Sequence, residues 1–181
     1  MDGKKILQSS YRAQLDQAKT NHLANNASLP RLAIVGIGNE LNGDDAAGVL
    51  AIRHLHRSLP VLNNVLLVEG SVAPENFTSV IRKFSPDWVW LLDAAEMGVE
   101  PGTVRLVDWQ TSGGVTAISH GLPPTLFARF LKAELGVSIF LFGIQPAVVD
   151  QFVEPTPIIV EQVRIFTEDL AEWILKTYSL F

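Results

Sequence analysis

The stretch Ile34-Val-Gly-Ile-Gly-Asn-Glu-Leu-Asn-Gly-Asp-Asp-Ala-Ala-Gly48 decides the fold class. It begins as an apolar strand, passes through a glycine turn and ends on two adjacent carboxylates where a helix should begin. Open α/β sheets place their chemistry at the carboxyl ends of such strands. The stretch therefore predicts both a parallel sheet and a functional site.

The glycines of this turn superficially suggest a dinucleotide-binding loop, Gly36-x-Gly38. The third glycine of that fingerprint would fall at position 41, which is Leu41. A pair of aspartates beside the loop would also repel a phosphate group. We therefore expect no nucleotide here.

Composition excludes several classes of protein. The 181 residues suit one domain, 48% of them are hydrophobic, and the net charge is −5 without a basic cluster, which disfavours nucleic acid and anionic membranes as partners. The chain has no cysteine, so disulfides, iron–sulfur sites and a cysteine nucleophile are excluded. It shows no apolar run of membrane-spanning length and no signal peptide. We expect a cytoplasmic monomer without membrane insertion.

Strands and helices alternate from residue 31 onward, which predicts an α/β domain with a mostly parallel sheet and helices on both faces. Residues 1–29 are interpreted as an N-terminal extension, helical or partly disordered, and residues 30–181 as a single domain. The predicted strands are 31–37, 62–68, 87–93, 103–107 and 137–144, and the helices after the extension are 45–58, 74–84, 123–135 and 157–177.

Three ionisable residues lie next to predicted strands or helices, at positions where the loops at the ends of the strands should converge. Asp45 follows the first strand, Asp93 closes the third strand and His120 comes just before a helix. Two carboxylates brought together need a proton or a cation, and an imidazole completes an O,O,N set suited to a divalent transition metal. We expect all three side chains in a surface cleft at the carboxyl edge of the sheet, with Asp44 serving the loop or the helix start.

Each residue also has a simpler interpretation. Asp44 or Asp45 could cap helix 45–58, Asp93 could accept backbone hydrogen bonds in a turn, and His120 could be an ordinary loop histidine. No serine lies in a nucleophile-elbow pattern.

Five ordered blocks extend the pattern over roughly residues 31–175. The blocks are Gly36–Gly48, Glu69–Asn76, Leu92–Gly98, Ser119–Pro123 and Phe142–Pro146. Together they resemble the NiFe-hydrogenase maturation endopeptidases, and most closely the branch that serves formate-hydrogenlyase-type hydrogenases. Ala46 departs from the glycine common in that family, and Glu40 adds a carboxylate to the loop.

The resemblance implies a five-stranded twisted sheet and a divalent-metal site formed by Asp45, Asp93 and His120. It also implies that the chain removes a C-terminal peptide from the precursor of a hydrogenase large subunit after nickel insertion. The nickel would be carried by the substrate, and the isolated protein could hold another divalent metal weakly.

The mechanism stays open between two possibilities. The three residues either hold the substrate's nickel and orient the scissile bond, or use a metal to activate water, with Asp44 or Glu40 as general base. Two other functions are alternatives: a non-catalytic, chaperone-like metal sensor of the precursor, and a small-molecule hydrolase or phosphorylase on the same scaffold.

Overall fold

The structure is a computed structural model that describes residues 3–111, 116–117 and 122–178. The helices are α1 (Gly3–Asn25), α2 (Ala47–Ser58), α3 (Thr78–Phe84), α4 (Pro124–Leu135) and α5 (Pro157–Tyr178). The strands are β1 (Leu32–Ile37), β2 (Val65–Ser71), β3 (Trp88–Glu96), β4 (Val104–Val107), β5 (Thr116–Ala117) and β6 (Ser138–Ile144). Short 3-10 helices, Gly43–Ala46 and Pro74–Phe77, precede α2 and α3.

Five strands form the main sheet in the order β2-β1-β3-β6-β4. The first four are parallel, while β4 runs antiparallel to β6. The predicted α/β class and the mostly parallel five-stranded sheet are confirmed. The two-residue β5, which the sequence did not predict, pairs with the end of β3.

Alternate residues of the central strands point to opposite faces of the sheet, as the twofold period of a strand requires. Leu32 and Ile34 of β1 join a core formed with α1, α2 and α5. Ala33 and Val35 join a second core beneath α3 and α4. Both faces are therefore covered by helices, which explains why β1 is apolar throughout.

Two details of the sequence reading need correction. The third strand does not end at Asp93 but runs to Glu96, because β6 pairs with it through Ala94 and β5 pairs with its last residues. The apolar spacing of helix 123–135 predicts that Leu126, Phe127, Phe130 and Leu131 are all buried. In α4, Phe127 and Leu131 are buried, whereas Leu126 and Phe130 lie on the outer side of the helix and are exposed.

Helix α1 packs along the domain. Tyr11 and Leu15 are buried in the core shared with α5. The Tyr11 hydroxyl donates to Asp169 at 2.6 Å, and the Trp173 indole donates to Asp16 at 2.9 Å. Residues 3–25 of the extension are thus helical, which was one of its two predicted states. The division of the chain into an extension and a domain at residue 30 stays a prediction. Across the part of the chain that the structure describes, none of the helices has the length and apolarity needed to cross a bilayer.

Candidate active site at the carboxyl edge of the sheet

The loop after β1 is shaped by close backbone contacts that only glycine permits. Gly38 has φ of 144°, and a β-carbon there would lie 1.9 Å from the Asp45 carbonyl oxygen. A β-carbon at Gly48 would lie 2.1 Å from the Leu92 carbonyl oxygen, next to Asp93 in the chain. These two glycines let the loop fold back on itself and let the start of α2 press against β3.

Asp45 lies in the 3-10 helix Gly43–Ala46 and is fully buried. Within the described residues, neither of its carboxylate oxygens has a hydrogen-bond partner. Burial raises the pKa of the Asp45 carboxyl above its ordinary value. Neither Asp44 nor Asp45 caps a helix through its side chain, so the simpler interpretation of this pair is wrong.

Asp93 lies inside β3, at the point where the sheet opens. The pairing of β1 with β3 ends at Gly36 and Leu92, so Asp93 is the first residue beyond β1. It is only 5% exposed. Burial, and then repulsion from the charge of Asp45, raise the pKa of Asp93 well above the ordinary carboxyl value. Asp93 therefore does not sit in a turn, and its carboxyl is close enough to interact with that of Asp45.

Two of the three predicted residues thus come together at the carboxyl edge of the sheet. Both carboxylates are buried, which corrects the expectation of side chains lining an open surface cleft. His120 lies outside the described residues. Among the residues that are described, no group of three His, Cys, Asp or Glu side chains could hold a metal ion. The unpartnered oxygens of Asp45 beside Asp93 nevertheless fit a cation, because two buried carboxylates need a positive charge or protons.

Asp44 has a different environment from its neighbour. Its Oδ2 accepts hydrogen bonds from the backbone N–H groups of Ala147 and Val148, each at 2.8 Å. Its Oδ1 accepts from the backbone N–H of Thr156 at 2.6 Å and from the Thr156 hydroxyl at 2.9 Å. Asp44 therefore serves the loop between β6 and α5, as predicted, and its oxygens are not free for a general base.

Arg53 of α2 joins two of the sequence blocks. Its guanidinium pairs with Glu40 in the loop after β1 and with Glu69 at the end of β2, where Nη2 lies 2.6 Å from Oε1. The hydrogen bond from Arg53 lowers the pKa of Glu69. Glu40 is thus one partner of an ion pair, which does not support the role of general base for it.

Gln145 was not singled out in the sequence, although it follows directly on the apolar strand β6. Its side-chain oxygen accepts from the Met97 backbone N–H at 2.7 Å, and its amide nitrogen donates to Glu96 at 2.9 Å. Gln145 is buried and fixes the segment that follows Asp93. A polar residue at the carboxyl end of a buried strand was the signal that could have found it.

Comparisons with known proteins identify the family of the chain. A family model described as hydrogenase maturation protease matches residues 49–176. The hydrogenase 3 maturation protease of Escherichia coli K12 is 31% identical over 138 residues, which cover 76% of this chain and 86% of that protein.

Solved structures show the same fold. The crystal structure of the NiFe-hydrogenase maturation protease HycI from Thermococcus kodakarensis superposes with a TM-score of 0.72 at 38% identity, covering 81% of this chain and 92% of that one. The solution structure of the endopeptidase HycI from Escherichia coli gives a TM-score of 0.68 at 28% identity, covering 78% and 90%. The residues matched by the family model begin at Val49 within α2, after the Asp45 loop, and include both β3 and β6, and the chain therefore belongs to the hydrogenase maturation protease family.

Proposed function

We propose that this chain is an endopeptidase that removes the C-terminal peptide from the nickel-loaded precursor of a NiFe-hydrogenase large subunit. The observation that carries the proposal is the pair of buried carboxylates, Asp45 and Asp93, of which Asp45 has no hydrogen-bond partner in the described part of the chain. Relatives named hydrogenase 3 maturation protease and endopeptidase HycI support the reaction class.

The carboxylates, with His120, would contact the nickel that the precursor carries. Asp45 lies on a loop fixed by Gly38, and Asp93 lies within a strand, so both carboxylates are held by rigid backbone. Oxygen and imidazole ligands suit divalent nickel, and three of them without a thiolate leave positions for the precursor's own ligands. The metal then serves as a positioning device that brings the scissile bond to the carboxyl edge of the sheet.

Two other features follow from this proposal. The isolated protein is expected to hold nickel or another divalent metal weakly, because the site supplies only three protein ligands. The protein is also expected to act as a monomer in the cytoplasm. Both statements stay predictions.

The test compares nickel-loaded with nickel-free precursor. Purified protein is incubated with each form, and intact-mass spectrometry follows the loss of the C-terminal peptide. The proposal expects loss of the peptide from the loaded form only, and none with an Asp45→Asn variant. Binding of the precursor without any loss of mass would instead favour the non-catalytic metal sensor, and cleavage of both forms at equal rates would contradict the role of nickel.

A further inference from the structure

A cluster of exposed apolar side chains lies beside the Asp45 loop. The cluster, here named the apolar patch, consists of Leu41, Val148, Val149, Phe152 and Val153. Phe152 is 82% exposed and Leu41 is 61% exposed, so neither contributes much to the core. Clustered exposed apolar side chains are a common mark of an interaction site.

The patch is built from two segments that hydrogen bonds hold together. Phe152 donates its backbone N–H to the Leu41 carbonyl at 2.5 Å, and Gly43 donates to the Val153 carbonyl at 3.0 Å. Asp44 donates its backbone N–H to the Val148 carbonyl at 3.0 Å, in addition to its side-chain bonds to the same loop. The patch is therefore an ordered surface, and it is continuous with the residue that precedes Asp45.

Phe152 is also held in an unfavourable backbone conformation. Its φ is 61°, in the left-handed region that a bulky residue rarely adopts. An asparagine or glycine would fit this backbone better, and the exposed ring gains little from packing. Strain at an exposed aromatic residue with no role in the core points to a functional role for its side chain.

The two chain segments that carry the patch bear only acidic side chains, although Arg53 of α2 pairs with Glu40 beside Leu41. Residues 38–52 and 143–163 contain no lysine or arginine. Asp150 and Glu154 are exposed on the loop that carries Phe152. A partner that covers the apolar side chains would gain from basic residues beside its own apolar ones.

We propose that the hydrogenase precursor docks on the apolar patch through an apolar segment flanked by lysine or arginine. The inference rests on the proposed function and identifies the surface that recognises its substrate. Docking at the patch would place the precursor against the same loop that carries Asp45, so that recognition and cleavage share one edge of the sheet. The Phe152 ring is the expected anchor, since aromatic residues dominate the energetics of such interfaces.

The test measures binding of nickel-loaded precursor to immobilised protein, in an Asp45→Asn background that leaves the precursor uncut. Phe152→Asn removes the ring and keeps a residue that tolerates a positive φ. We expect the Kd to rise about tenfold or more, while the melting temperature stays equal or rises. Val61→Asn is the matched control, because Val61 is 98% exposed but lies before β2, outside the patch; its Kd should change less than about twofold.

A second variant tests the charges. Asp150→Asn combined with Glu154→Gln should weaken binding several-fold at low salt and flatten its dependence on salt concentration. An unchanged Kd in Phe152→Asn would overturn the docking surface. The docking surface would also be overturned if sedimentation showed a dimer of this chain that Phe152→Asn abolishes while precursor binding persists.

The two proposals fail in different ways. If the wild type binds the precursor without cleaving it, and Phe152→Asn weakens that binding, the docking surface is supported and the endopeptidase proposal is overturned. Cleavage by the wild type with full activity in Phe152→Asn, at precursor concentrations below half-saturation, would support the endopeptidase and overturn the docking surface. Absence of any binding by the wild type would overturn both.

Discussion

Replacing Asp44 by asparagine tests whether the two adjacent aspartates have different roles. Asparagine keeps the shape of the side chain but has one acceptor oxygen where the carboxylate has two. Its best orientation leaves the carbonyl oxygen facing the N–H groups of Ala147 and Val148 and turns the amide nitrogen toward Thr156. The Thr156 hydroxyl can reverse and accept from that nitrogen, but the Thr156 N–H loses its acceptor.

The expected cost follows from this count of hydrogen bonds. One charge-assisted bond is lost, its partly buried N–H is left without a protein acceptor, and the remaining bonds become neutral. Such a change costs about 2–3 kcal/mol of unfolding free energy. For a chain of 181 residues, this corresponds to a fall in melting temperature of roughly 5–10 °C. The folded variant should still process precursor at high precursor concentration, because the Asp44 side chain faces the loop between β6 and α5.

Asp45→Asn is the matched comparison. The Asp45 carboxylate has no hydrogen-bond partner in the described part of the chain, and its pKa is raised, so its charge weakens the fold above the ordinary carboxyl pKa. The variant should melt at or above the wild-type temperature at pH 8 and should not process precursor. Calorimetry and intact-mass spectrometry measure the two effects. Equal losses of stability in both variants, or abolished processing in Asp44→Asn at an unchanged melting temperature, would refute this division of roles.

Four further predictions concern the same edge of the sheet. Because the pKa of Asp93 is raised in the folded state, the metal-free protein should lose stability as the pH rises from the ordinary carboxyl pKa through the pKa of the folded state. In melting curves recorded from about pH 4 to about pH 8, Asp93→Asn should make this loss of stability smaller. His120→Ala should abolish processing of loaded precursor and leave the circular dichroism spectrum unchanged; normal processing would remove His120 from the site. Gly38→Ala should destabilise the protein by several kcal/mol, on the order of 3 or more, because its β-carbon meets the Asp45 carbonyl, and an unchanged urea midpoint would contradict that geometry. NAD, FAD and ATP should not bind in equilibrium dialysis, and micromolar affinity for any of them would overturn the reading of the Gly36–Gly43 loop.

The mostly parallel sheet and the convergence of Asp45 and Asp93 could be predicted because both depend on short-range patterns. Continuous apolar runs mark parallel strands, and parallel strands bring their carboxyl ends to one edge. The position of Asp93 within its strand could not be predicted in this way. Strand length there depends on how far β6 and β5 pair with β3, which is a property of distant segments.

The roles of the polar side chains around the site were harder to predict than the backbone. The distinction between Asp44 and Asp45 was anticipated only in outline, because the donors to Asp44 come from residues more than one hundred positions away, as with Thr156 at a separation of 112. The ion pairs of Arg53 and the contacts of Gln145 are likewise long-range, and no local motif announces them. The burial of both carboxylates was missed for the same reason.

The contact between α1 and α5 has a consequence for synthesis of the chain on the ribosome. Tyr11 stacks edge-on against Phe142 and Phe166, and Arg12 pairs with Asp169 at 2.8 Å. The side of α1 that packs against α5 therefore lacks that partner until α5 has been translated, although Tyr11 can already contact Phe142 of β6. A nascent chain that stalls before α5 would leave this side of α1 exposed, so the arrival of α5 protects the newly made protein from proteolysis and aggregation.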